Sequence, residues 1–162
     1  MIRLTIAKKE DFEDYYKIRC GESDIFWMGF DGPPEREVMK KVFDSRSAGA
    51  PFENNGDKRI YMVKVENNNV GFVQFSLTEE GIELGYSILD EERGKGYGSD
   101  ALSEAVKLAG EIRNCVIAEI RDDNEASKRV IGKAGLKPTE EGSYKYFKGT
   151  GDVFFRRWEA RV

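Results

Sequence analysis

Seven consecutive residues, Arg93-Gly94-Lys95-Gly96-Tyr97-Gly98-Ser99, have the composition of an anion site. Glycines at 94, 96 and 98 remove side chains where main-chain N–H groups must converge on a ligand. A helix beginning near Gly96 adds its partial positive end. Arg93 and Lys95 bring full charges and Ser99 a hydroxyl, which together make a cradle suited to a pyrophosphate. Two other phosphate loops do not fit. A Walker loop needs Gly-x-x-x-x-Gly-Lys-Ser/Thr, and a dinucleotide fingerprint needs Gly-x-Gly-x-x-Gly after the first strand of a parallel unit. A plain glycine-rich turn opening a helix is the bland alternative, and the interleaved Arg, Lys and Ser argue against it.

The chain contains no histidine. That excludes Ser-His-Asp and Cys-His catalysis and most zinc hydrolase chemistry. Acid–base work falls to Glu, Asp, Tyr, Cys, Lys or water. Two cysteines, Cys20 and Cys115, are too few for a disulfide framework and are expected to be reduced. A net charge of −4, with basic residues scattered among 30 acids, disfavours nucleic acid. The first residues lack the long apolar stretch of a signal peptide, and no run approaches a membrane span. The expectation is a cytoplasmic protein with no membrane and no metal.

A loop of this kind needs a strand to deliver it and a helix to leave it. Ile82 to Leu89 reads as that strand, and a helical pattern from Gly96 to about Gly110 follows, with Ala101, Leu102, Ala105, Val106 and Leu108 on one side. Upstream, residues 2–7 read as a strand and Lys8 to Cys20 as a helix, while 22–34 reads as irregular, with a cluster of Phe26, Trp27, Met28 and Phe30 that either lines a substrate pocket or caps the core under a connecting loop. Pro33 opens a second helix. Ile60 to Glu66 and Val70 to Leu77 form an expected hairpin across Asn67-Asn68-Asn69. Cys115 to Ile120 is a strand and Asn124 to Ala134 a helix. Tyr144 to Lys148 and Val153 to Trp158 close as a hairpin. The expected fold is one α+β (mixed α/β) domain over 1–162, a mostly antiparallel sheet of about seven strands with about four helices.

Arg93-Gly94-Lys95-Gly96-Tyr97-Gly98 resembles the Gln/Arg-x-x-Gly-x-Gly/Ala signature of the GNAT superfamily of acetyl-CoA-dependent N-acetyltransferases. Asn124 to Leu136 resembles that family's Asn-x-x-Ser/Ala helix, and the order of elements agrees. The branch with ribosomal-protein and antibiotic-modifying enzymes looks nearest. The resemblance implies acetyl-CoA as cosubstrate, with the pyrophosphate on the amides of 93–99 and the hydroxyl of Ser99. It implies that a splayed strand at Ile88 and Leu89 pairs with the pantetheine arm. Asn124 would contact that arm, Ser127 the arm or the thiol, and Lys128 or Arg129 the phosphates; Asn124 reads equally as a helix cap.

The chemistry implied is direct attack of a primary amine, on a small molecule or a peptide N-terminus, upon the thioester. Glu83 is the candidate base, although it also reads as an ordinary strand residue. Some members carry a tyrosine acid where this chain has Ile131. Tyr144 or Tyr146 of the last hairpin is then the candidate acid, with solvent as the alternative. Beside this stand a different acyl-CoA donor, a non-catalytic acetyl-CoA sensor and an unrelated anion-binding domain. Homodimerisation is open.

Overall fold

In the computed structural model, which describes all 162 residues, seven strands build one sheet. They are β1 (Ile2–Ile6), β2 (Lys58–Val65), β3 (Asn68–Leu77), β4 (Ile82–Ile88), β5 (Cys115–Arg121), β6 (Lys137–Phe147) and β7 (Gly151–Arg161). Five helices accompany them: α1 (Phe12–Arg19), α2 (Glu22–Met28), α3 (Arg36–Asp44), α4 (Tyr97–Gly110) and α5 (Glu125–Lys133). The strand order is β1-β2-β3-β4-β5-β7-β6, and β4 with β5 is the single parallel pair. This is the expected α+β domain. It differs in one helix: α2 occupies part of the stretch read as irregular, because seven residues ended by Gly29 are too few to show a period.

The β2–β3 turn is tighter than three asparagines suggested. Glu66 and Asn67 both take positive φ, 57° and 104°, as a two-residue hairpin loop demands. Asn68 and Asn69 therefore join β3. The Asn69 amide donates to Asp11 (3.0 Å) and Asp14 (2.9 Å), and its carbonyl accepts from Lys64 (2.7 Å), tying the hairpin to the start of α1.

α4 and α5 cover one face of the sheet. Ala101, Ala105 and Ala109 recur every four residues on α4 and let its backbone approach β-strand residues such as Phe75, Leu84 and Val116, all buried. The other face is covered by α1 and α3, whose Phe12, Tyr15, Met39 and Phe43 pack on Ile60, Met62 and Phe72. Those strand residues belong to β2 and β3 alone. The second layer thus stops short, leaving that side of β4, β5 and β7 as a groove. Since Ile82 and Leu84 point into the first core, strand alternation turns Glu83, Gly85 and Ser87 toward the groove.

Where β4 meets β5, only Ile82↔Val116 and Glu83↔Ile117 pair. The contact is pinched at its start. Gly81, at φ 156°, lies so close to β5 that a Cβ there would stand 2.3 Å from the Cys115 carbonyl oxygen. Beyond Glu83 the strands part. Gly81→Ala is expected to lower the unfolding free energy by about 3 kcal/mol through strain and displacement of β5. Gly85→Ala, with nothing within 4 Å of its added carbon, should stay within about 0.5 kcal/mol of the parent. Urea denaturation reads both, and equal stabilities would remove Gly81 as the pin.

Candidate functional site

A cavity of about 580 Å³ is bounded by α2, the far half of β4, the glycine-rich loop and one face of α5 along its length. Its wall includes Ile88, Arg93, Gly94, Gly96, Tyr97, Gly98 and Ser99, together with Asn124 and Ser127. Nine residues chosen from two distant sequence segments thus share one enclosure. Lys95, Leu89, Glu83 and Tyr144 are not part of its wall.

The loop presents its backbone to the cavity. No main-chain N–H from Gly94 to Ser99 is used inside the protein; the next one, on Asp100, donates to the Gly96 carbonyl at 3.1 Å. Three of these six groups open α4, where an α-helix leaves its first N–H groups without partners. The rest are turned by Gly94 and Gly96 at φ 80° and 84°, a conformation costly for any residue with a Cβ. Arg93 faces the cavity, joined by Arg129 and Lys133 from α5. Lys95 instead pairs with Glu92 at 2.8 Å, and Lys128 donates to the Asp122 carbonyl at 3.0 Å. Of the three cations, Arg93 belongs to the glycine-rich motif and Arg129 is one of the two expected on the Asn124 helix, while Lys133 is revealed by neither.

The edge of β4 supplies a second set of backbone groups. The Leu89 N–H donates to the Val70 carbonyl of β3 at 2.8 Å. Antiparallel pairing alternates, so the peptide groups of Ile88 and Tyr86 point the other way, toward β5, where pairing has ended. Ile88 accordingly lies where a strand-like ligand could pair. Leu89 does not: its amide is committed to β3, and its side chain packs against the second core.

Side chains close the far wall. The Tyr86 hydroxyl donates to Ser127 Oγ at 3.1 Å, and Asn124 Oδ1 accepts the Ser127 N–H at 3.1 Å, capping α5. Burial raises the Tyr86 pKa against the opposing influence of Ser127 and Arg93, so the phenol stays protonated. The motif gives Tyr86 no side-chain role, and of the aromatic cluster read as a pocket lining or a cap on the core, Trp27 and Met28 face the cavity. Ser23, Asp24, Trp27 and Met28 of α2 line the cavity. They are held over it by Arg121 at the end of β5, whose guanidinium stands 5.2–5.3 Å from the rings of Phe26, Trp27 and Phe147 and is paired to Asp123 at 2.7 Å.

The two expected catalytic residues fall elsewhere. Glu83 occupies the last paired rung of β4 and β5 and faces the groove. Burial, and then the neighbouring Glu119 carboxylate, push its pKa up, opposed by Lys145, Lys58 and Arg157. Tyr144 is brought to neither cavity nor groove. It lies 71 % exposed against Phe154, on the face of the β6–β7 hairpin opposite Ser143, whose hydroxyl bonds Glu119 at 3.1 Å. Tyr146, 73 % exposed, shares that face. Ile131, at the position where some relatives carry the acid, is 1 % exposed and packs in the first core.

A sheet that splits between its fourth and fifth strands beside a glycine loop of free amides prompts comparison with known proteins. The family model of the acetyltransferase (GNAT) domain matches residues 2–137. The chain belongs to the GNAT acetyltransferases. No curated protein sequence matches it. Among solved structures, an acetyltransferase of the GNAT family from Bacillus anthracis is similar at TM-score 0.77 and 20 % identity, covering 99 % of this chain and 93 % of that one. A spermidine N-acetyltransferase from Vibrio cholerae, in complex with CoA and spermine, aligns at TM-score 0.80 and 13 % identity over 99 % and 95 %. RimL, a ribosomal-protein alpha-N acetyltransferase in complex with coenzyme A, aligns at TM-score 0.80 and 16 % over 99 % and 94 %. At such identities the likeness is one of fold. This GNAT chain has no helix long and apolar enough to cross a membrane.

Because Arg121 ties α2 to β5, Arg121→Ala is expected to cost about 2 kcal/mol of stability and to speed amide exchange in α2 more than in α4. Uniform exchange across both helices would show that α2 is held by other contacts.

Proposed function

We propose that the enzyme transfers acetyl from acetyl-CoA to a primary amine of a small molecule or a peptide N-terminus, by direct attack of the amine on the thioester. The six unused N–H groups at 94–99, together with Arg93, Arg129 and Lys133 on the same cavity, carry the proposal. They fit a pyrophosphate: oriented amides and a helix start supply hydrogen bonds, and three cations supply charge. Ile88 and Tyr86 present the peptide groups that would pair with the pantetheine amides. Ser127, Asn124 and the protonated Tyr86 line its course toward the gap between β4 and β5.

The acceptor would come from the groove on the opposite face. Glu83 is the proposed base. Four strand steps, about 13 Å at the usual rise, separate it from Ser87 on the cavity wall, so it acts through a chain of waters lying over the open Gly85. Its raised pKa suits a group that must gain a proton near neutrality. With Tyr144 and Ile131 displaced from the site, the departing thiolate takes its proton from water or from Tyr86. Unpaired Cys20 and Cys115 accord with a cytoplasmic setting.

Acetyl-CoA at one hundred times its Kd should stabilise the parent by about 2.7 kcal/mol, while ATP and NAD leave its melting temperature unchanged. Gly96→Val should abolish that shift at a cost of about 1–2 kcal/mol in stability; an undiminished shift would move the cofactor away from this loop.

Glu83→Gln separates function from stability. A carboxyl whose folded pKa is raised weakens the fold as pH climbs through its titration, and below it the penalty vanishes. The variant should therefore melt no lower than the parent, with any gain confined to pH above the titration. Turnover should fall by about 10²–10⁴-fold and lose the rising acid limb of its pH profile. Full turnover in this variant would refute Glu83 as base.

A further inference from the structure

Asp24 is a buried carboxylate that the chemistry described so far leaves idle. It lies on α2, 7 % exposed, on the wall of the cavity. Its surroundings are Arg19 of α1, Ser87 of β4, and Asp90 and Arg93 of the loop after β4. Arg19 Nη1 stands 3.2 Å from Oδ2 and 3.5 Å from Oδ1, close enough to pair but aligned for a hydrogen bond only with Oδ1. Oδ2 and Arg19 Nε are both buried without a hydrogen-bond partner. A buried carboxylate oxygen in that state is costly unless some donor reaches it.

The donor it lacks has a natural source. Ser87 lies beside Ile88 on the cavity wall, where β4 and β5 have parted. Asp24, Trp27 and Met28 recur at i, i+3 and i+4, so one face of α2 offers a carboxylate beside two apolar side chains, and all three line the cavity. Both carboxylates on that wall have a cationic neighbour, Lys95 at 2.8 Å from Glu92 and Arg19 at 3.2 Å from Asp24, but of the two only Asp24 keeps a buried oxygen without a hydrogen bond. That single acceptor accommodates one ammonium on an apolar body and offers a chain of several ammoniums no second partner.

Resting on the acetyltransferase reading, we infer that Asp24 is the acceptor-binding carboxylate. Its Oδ2 takes a hydrogen bond from the ammonium of a monocationic amine, and Trp27 with Met28 covers that amine's apolar part. The nitrogen is thereby held at the gap between β4 and β5, where Glu83 can draw off its proton through water.

Phenethylamine serves as the probe and spermidine as the contrast, with thiol release from acetyl-CoA as the readout on the full chain. The parent should show a higher kcat/KM for phenethylamine than for spermidine. Asp24→Asn should keep the acetyl-CoA thermal shift while the KM for phenethylamine rises at least tenfold and kcat changes less. Asp24→Glu should recover part of that loss, which a purely structural role would not produce. An unchanged KM in Asp24→Asn, or a preference for spermidine, overturns the inference while the enzyme remains an acetyltransferase. Should the variant fail to fold, the parent decides: in its coenzyme A complex, the Asp24 carboxyl carbon resonance should move on adding phenethylamine, and a resonance that stays put overturns the inference. If acetyl-CoA never shifts the parent's melting temperature, the acetyltransferase reading falls first.

Discussion

β4 and β5 pair for two rungs and then separate, and the site exists because of that separation. A parallel pair of central strands would ordinarily keep its ladder, since an unpaired peptide group away from water costs about 1–3 kcal/mol. Here Gly81 presses the strands together at one end, and the peptides of Tyr86 and Ile88 are left facing a gap at the other. The gap is an opening through the sheet. It connects the face carrying α4 and α5 with a groove on the reverse face that α1 and α3 leave uncovered. A cosubstrate held on one side can then meet an acceptor arriving from the other.

The glycine-rich loop is effective because of what anchors the helix behind it. α4 is fastened to the sheet by its stripe of alanines, so its N-terminus and the amides of 94–99 are fixed relative to the edge of β4. The protein is acidic overall, yet the cavity wall gathers Arg93, Arg129 and Lys133. Local charge near a helix start, at distances inside a Debye length, outweighs a net charge spread over the whole surface. Opposite the loop, α2 is clamped at both ends. Arg121 stacks among its aromatic rings, and Arg19 holds Asp24.

Local signals carried the reading of the loop, the strand before it and the helix after it. Glycines at alternate positions permit the positive φ the turn requires and the apolar period that follows marks a helix, so neighbours in sequence suffice. The expected residues that missed the site failed for a different reason. Leu89 lies one residue past Ile88, and the direction of its amide is set by the register with Val70 on β3. Tyr144 reads as a tyrosine of the closing hairpin able to replace the acid missing at Ile131, but a register shift between Pro138 and Gly142 decides which face each later residue of β6 occupies. Lys95 and Lys128 have suitable charge, and each is consumed by a neighbour.

By itself the sequence determined the seven strands, the helices long enough to show a period, and a phosphate-binding turn without histidine chemistry, because these depend on residues within a few positions of one another. Only the tertiary structure decided that β4 and β5 part after Glu83, that α2 forms and roofs the gap, and that Asp24, Tyr86, Arg129 and Lys133 face one cavity. Those outcomes turn on strand register and on packing between segments more than a hundred residues apart, and no local pattern encodes a register.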